Sequence, residues 1–170
     1  MLLWFAGTSL VAMWFFFRDP AIDHRLVVVG ALLPDAIDGL TGGAWLLHTL
    51  MFPIAFLLAV MVLTIGRRQA RRRYLALPIG CFWHLIFDFV WSDTSTFWWP
   101  VAGLSFGDTA LPVVERGVVL NLGLEAVGLV LLIWIAGQFD LANPGRRTVF
   151  LRTGRVDRAL TDPDREPPTC

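Results

Sequence analysis

Long runs of apolar residues, separated by short polar stretches, set the pattern of this chain. Five segments stand out, at about residues 2–17, 22–38, 44–65, 75–91 and 117–136. Read as helices, they predict an all-α fold, an integral membrane helical bundle with about five apolar segments. The first and fourth, at 16 and 17 residues, would each reach about 25 Å, so they need local bilayer thinning or interfacial tryptophan anchors. Pro34 interrupts the second, and whether segment 22–38 crosses fully is left open. Residues 2–17 lack a basic leader and a small-residue cleavage pattern before Arg18-Asp19-Pro20, so an uncleaved first helix is expected rather than a signal peptide. The expected organisation is a membrane-embedded helical domain over 1–138 and an Arg-rich cytoplasmic tail over 139–170. A short interfacial helix is expected within 139–160 and disorder over 161–170.

Composition agrees with a multi-span membrane protein. Hydrophobic residues make up 56% of the 170 positions and charged ones only 16%, with eight Trp and 13 Phe. The net charge of zero conceals an asymmetry, because all 14 basic residues are arginine and most fall in two clusters. One holds Arg67, Arg68, Arg71, Arg72 and Arg73; the other holds Arg146, Arg147, Arg152, Arg155 and Arg158. The absence of lysine points to a GC-rich bacterial genome and hence to the plasma membrane. Cys81 and Cys170 have neither disulfide partners at matching depth nor metal-ligand spacing.

The arginines also predict an orientation, since cytoplasmic loops carry the excess positive charge. With 66–74 inside, alternation puts 92–112 outside, the tail inside and the N-terminus outside. Residues 92–112 contain no Lys or Arg, whereas Arg18 and Arg25 fall on the inner side. Both arginine clusters border predicted spans, where attraction to anionic lipid headgroups accounts for them without a nucleic-acid partner.

Within this topology a set of ionisable residues gathers at one depth. Asp35 and Asp38 lie at the outer end of segment two, and His48 about one turn into segment three. His84 and Asp88 lie near the outer end of segment four, Asp88 about one turn below it. The i,i+3 spacing of Asp35 and Asp38, and the i,i+4 spacing of His84 and Asp88, put each pair on one side of a helix. Pro34 removes a backbone donor beside the carboxylates and would open the helix there toward a polar cavity. A lone His or Asp near a helix end is ordinarily a satisfied polar group; five on three helices at one depth predict a metal site. Mixed imidazole and carboxylate ligands suit zinc first, with manganese or iron as alternatives.

The succession Gly30-Ala31-Leu32-Leu33-Pro34-Asp35-Ala36-Ile37-Asp38, then His48-Thr49-Leu50, then His84-Leu85-Ile86-Phe87-Asp88, closed by Trp98-Trp99-Pro100, resembles the YdjM/DUF457 family, described as membrane-bound metal-dependent hydrolases. The likeness spans residues 30–100. It implies a metal site at Asp35, Asp38, His48, His84 and Asp88, and a hydrolytic role. Many members carry a further His-Arg-Gly before their Thr-His-Ser motif. Here residues 43–47 read Gly-Ala-Trp-Leu-Leu and His48 is followed by Thr49, departures that bear on any second metal.

Other residues carry smaller expectations. Glu125, one turn after Asn121, is expected to face the bundle at the depth of His84, either orienting that imidazole or making an ordinary interhelical hydrogen bond. Glu115 and Arg116 are expected to form an interfacial ion pair. Trp91, Trp98 and Trp99 fit an aromatic belt that would also wall a lipid-accessible mouth. Asp93, in the polar stretch 92–96, is within reach of the pocket, and the connection over 100–112 reads as a lid or a linker. His24 lies at the inner end and outside the site. Gly-rich phosphate loops, internal repeats and a Gly-x-Ser-x-Gly elbow are absent.

The reading that follows is a metal-dependent hydrolase acting on a lipid-linked or amphiphilic ester or phosphoester near the extracytoplasmic face. Asp35, Asp38 and Asp88 are the candidate catalytic carboxylates, one of them doubling as general base. Membrane lipid is the expected partner. The alternative is a non-enzymatic membrane protein, a transporter component or assembly partner, whose polar cluster relays protons or stabilises the bundle.

Overall fold

The computed structural model describes residues 1–41, 46–104 and 116–161. Every regular element among them is helical. Helices α1 (Leu2–Phe16), α2 (His24–Thr41) and α3 (Met51–Leu63) are followed by a short polar helix α4 (Arg68–Tyr74), then α5 (Ala76–Phe87) and α6 (Thr94–Phe97). Helices α7 (Val118–Gln138), α8 (Pro144–Thr153) and α9 (Arg158–Thr161) complete the described chain, and 3-10 turns occupy Leu46–His48 and Val90–Ser92. Among the described residues one helix, α7, is long and apolar enough to cross a membrane; α1 and α3 are as apolar but shorter.

Two boundaries differ from the sequence expectation. The third apolar segment becomes helical only at Met51, so His48 sits on the 3-10 turn before α3 rather than inside it. Pro53 explains the late start: it falls in the first turn of α3, where a missing N–H costs nothing, whereas a helix begun at 44 would carry it in the interior. The fourth segment ends at Phe87, leaving Asp88 as the C-cap and Phe89 in the left-handed region at φ 59°. Asp88 is therefore at the helix end, not a turn below it. Pro34 does not interrupt the second segment either, since α2 runs through it.

Close helix contact rests on glycine. Helix α2 packs most extensively on α5, and α1 on α7. A Cβ on Gly30 would overlap the Leu77 carbonyl, and one on Gly80 would overlap the Val27 carbonyl, so the α2 and α5 backbones touch where these glycines face each other. His84 lies one turn beyond Gly80, and Pro34 one turn beyond Gly30; this crossing thus sets the spacing of the ionisable residues above it.

Two apolar clusters fill the interior. One joins Met13, Val27 and Trp83 from α1, α2 and α5. The other joins Leu10, Ile135, Phe139 and Val156, so the stretch after α7 folds back onto the helices. His24 anchors it there, its backbone N–H donating to the Gly154 carbonyl at 2.9 Å and its Nδ1 lying 3.0 Å from the same oxygen. The outer faces stay apolar: Leu63, Val119, Val130 and Ile133 are among the exposed large residues.

Candidate metal centre

Asp35, Asp38, His48, His84 and Asp88 meet at one end of the bundle. One 3-10 turn and two helices deliver them: α2 carries both its aspartates, the 3-10 turn carries His48, and α5 carries His84 with Asp88 at its cap. His48, His84, Asp38 and Asp88 are buried, while the Asp35 side chain retains 22% exposure. Asp35, His48 and His84 offer ligand atoms that all lie within 4.8 Å of one another, a group able to hold a metal ion.

Hydrogen bonding determines which atoms face inward. His84 Nδ1 lies 2.7 Å from the Ala31 carbonyl, which can only accept, so Nδ1 carries the proton and Nε2 presents its lone pair. In the same way His48 Nδ1 donates to Asp38 Oδ2 at 2.7 Å. The two Nε2 atoms then face each other at 3.4 Å. Asp35 Oδ1 lies 3.6 Å from each of them. Asp88 Oδ2 is 3.8 Å from His48 Nε2, buried, and without a hydrogen-bond partner among the described residues. Three acceptor atoms, from Asp35, His48 and His84, thus point toward one small volume with Asp88 Oδ2 beside it on the His48 side, and such a gathering requires a cation or shared protons between them.

Each of these groups is oriented from behind. Asp38 holds His48 and the Ala31 carbonyl holds His84, the carboxylate and carbonyl arrangements that fix imidazole ligands in metal sites. The carbonyl of Gly30 has lost the donor it would take from residue 34, because Pro34 has no N–H; the next carbonyl along, Ala31, serves His84. The Phe5 ring lies against the His84 imidazole, centroids 4.1 Å apart, and closes that side.

The C-terminus of α5 is tied down by side chains from three directions. Trp4 Nε1 donates to the Phe87 carbonyl at 3.1 Å and Trp91 Nε1 to the Ile86 carbonyl at 3.3 Å. Arg116 takes the Asp88 carbonyl through one guanidinium nitrogen and Asp88 Oδ1, at 2.8 Å, through the other. These bonds satisfy carbonyls that a helix end leaves without intrahelical donors. They also hold the Asp88 carboxylate with Oδ2 turned inward.

Arg116 was not among the residues expected in the site. Its expected partner, Glu115, lies outside the described residues, and the contact it makes is with Asp88 instead. A carboxylate buried at a helix end next to no basic residue in sequence was the available signal, since such a charge needs a distant cation. Of the two expectations for Glu125, the interhelical hydrogen bond is the one observed: its Oε2 accepts from the Leu3 backbone N–H of α1 at 2.8 Å, while Ala31 and Phe5 adjoin the His84 imidazole. Asp93 stays out of the centre as the N-cap of α6. Its Oδ1 accepts from the Ser95 N–H and Oγ, and its Oδ2 from Thr96 Oγ1. Partial burial pushes the Asp93 carboxyl upward, but these bonds outweigh it and hold the group below the ordinary carboxylate range. Cys81 is buried within α5 and takes no part, and Cys170 lies outside the described residues, as does most of the expected lid over 100–112.

Comparison of the chain with protein-family models, with curated proteins and with solved structures yields no match.

Proposed function

We propose that this chain is a multi-pass membrane protein whose Asp35, His48, His84 and Asp88 hold a divalent metal, and that it hydrolyses an ester or phosphoester of an amphiphilic or lipid-linked substrate. The observation that carries the reading is the convergence of three acceptor atoms, the two imidazole Nε2 and Asp35 Oδ1, with no donor among them. Ligands about 2.0–2.2 Å from a tetrahedral ion stand about 3.3–3.6 Å from one another, which supports zinc ahead of an octahedral, oxygen-seeking cation. The three separations among Asp35, His48 and His84, at 3.4, 3.6 and 3.6 Å, fall in that range, and Asp88 Oδ2 stands just outside it, 3.8 Å from His48 Nε2.

The chemistry such an ion supplies is polarisation of the substrate oxygen and activation of water. The chain's own residues do the rest. Asp35 is the one ligand open to the exterior, so substrate and water arrive on its side. With Oδ1 directed at the histidines, Asp35 Oδ2 is placed to accept the proton of the attacking water as the ester bond breaks and the leaving oxygen departs. Asp38 and Ala31 keep both imidazoles in the liganding tautomer, and Arg116 neutralises part of the buried charge at Asp88. Exposed Trp91 and Trp98 near this end offer aromatic surface to an amphiphile.

Membrane embedding rests on the apolar exterior. Large hydrophobic side chains stand exposed along α3 and α7, where helices facing lipid would present them. Arg25 and Arg73, both paired with Asp23, lie at the end opposite the centre. Five passes, with the centre outward and the arginines cytoplasmic, reconcile both facts.

Elemental analysis of detergent-purified protein, beside His84→Ala and Asp35→Ala, tests the reading. Near-stoichiometric metal lost in both variants, followed by turnover of lipid phosphoesters, supports it. Metal-free wild type, with all three proteins folded, turns the same close imidazole pair into a site for shared protons in a non-enzymatic membrane protein.

A further inference from the structure

At the opposite end of the bundle two cavities adjoin. The first, of about 230 Å³, is lined by Arg25, Arg73, Arg152 and Arg155 together with the buried Asp23. Arg25 grips Asp23 with two bonds, Nε to Oδ1 at 3.0 Å and NH2 to Oδ2 at 2.9 Å, and Arg73 Nε lies 3.3 Å from Oδ2. Both Asp23 oxygens are thus committed, and three net positive charges remain around the cavity. A guanidinium has five N–H donors, of which Arg25 spends three, on Asp23 and on the Leu151 carbonyl at 2.7 Å. Arg152 and Arg155, exposed on the rim, form no ion pair among the described residues.

The second cavity, of about 410 Å³, is walled by Phe139, Leu141, Val149, Phe150 and Val156. Arg155 lines both. The junction is built by a residue with no side chain: Gly154, at φ 69°, passes so close to Asp23 that any Cβ would collide with its carboxylate. The tail after α8 can therefore lie against the start of α2 and bring Arg152 and Arg155 alongside Arg25 and Arg73.

We propose that these joined cavities bind an anionic phospholipid, its phosphate among Arg25, Arg73, Arg152 and Arg155 and the start of an acyl chain in the apolar cavity. Planar forked donors suit phosphate oxygens, and an apolar chamber one side chain away suits an amphiphile better than a free anion. The inference rests on the membrane reading, which puts this end at the cytoplasmic headgroup layer, where anionic lipid is enriched. It is independent of the metal centre.

The test is native mass spectrometry of the full chain in detergent with phosphatidic acid, phosphatidylcholine or inorganic phosphate at equal concentration. The expected result is one retained phosphatidic acid, at least tenfold less in the double variant Arg152→Gln/Arg155→Gln, and a loss in Val149→Asp, which puts a carboxylate in the apolar cavity. Melting temperature in detergent should be unchanged in both variants, which shows them folded, and their metal content should equal that of the wild type, which separates this site from the centre. Equal lipid retention by wild type and the double variant overturns the proposal. So does inorganic phosphate bound as tightly as the lipid, which would make this a free-anion site.

Discussion

Arg116 reaches across from the start of α7 to hold Asp88 by its carbonyl and by Oδ1, at 2.8 Å for the latter, which leaves Oδ2 alone to face His48. A half-paired buried carboxylate of this kind is oriented, not merely neutralised. Replacing Arg116 with Met removes both bonds while keeping much of the apolar stem. Metal affinity, measured by competition with a chromophoric chelator, should fall about 10- to 100-fold, as it does when groups behind metal ligands are lost. Arg116→Lys should recover part of the loss, since one charge returns without the fork.

Asp38 and Asp35 should separate in the same assay. Asp38→Asn keeps the shape but exchanges an ionised acceptor for an amide behind His48, so affinity should drop by about 10- to 100-fold with metal still bound at saturation. Asp35→Asn, which weakens a ligand in the cluster itself, should leave the purified protein without stoichiometric metal. Identical losses in the two variants would put Asp38 among the ligands.

Asp93 links acid stability to the centre. It caps α6, and the last residue of that helix, Phe97, accepts from the Leu50 N–H at 2.9 Å, two residues beyond His48. Because its carboxyl is held below its ordinary value, the cap stabilises the fold above about pH 4 and is lost as pH falls through the lowered value. Asp93→Ala should cost about 1 kcal/mol at neutral pH and nothing further in acid. Thermal melts of both proteins from pH 7 to pH 3 should converge.

The glycine crossing predicts opposite outcomes for two similar substitutions. Gly80→Ala forces α2 and α5 apart and should destabilise by about 1–3 kcal/mol, with metal affinity falling as His84 shifts. Gly137→Ala, in α7 where a Cβ meets nothing within 4 Å, should be neutral or stabilising by up to about 1 kcal/mol. Melting temperatures in detergent read the difference.

Orientation is open to impermeant thiol labelling in a Cys170→Ser background. Ser92→Cys should label from outside intact cells, and Arg68→Cys only after permeabilisation. Labelling of Ser92→Cys exclusively from within would invert the proposed topology.

The all-helical class was legible because long apolar runs leave few alternatives, and the five ionisable residues were legible because such groups are costly where they sit. What the sequence did not disclose was dictated by contacts between distant segments. Asp38 reads like Asp35 along α2, and only the reach of His48 Nδ1 tells them apart. Arg116 sits 28 residues from Asp88, with nothing local to pair them. Gly30 and Gly80 are ordinary members of apolar runs until their helices cross. Helix limits at Met51 and Phe87 were set by Pro53 and by the bonds that terminate α5, features weaker in a hydrophobicity pattern than in the folded chain.

Leu3 finds its carboxylate partner in Glu125, 122 residues later, and Asp88 finds its guanidinium in Arg116. As the chain emerges during synthesis, the first helix and the fifth are therefore in place well before either contact exists. The histidines and aspartates can gather early, yet Asp88 stays unaimed until the final long helix arrives. Completion of the centre thus waits on the residue that leads into α7, and a chain cut before Arg116 carries every candidate ligand without the group that directs the last of them.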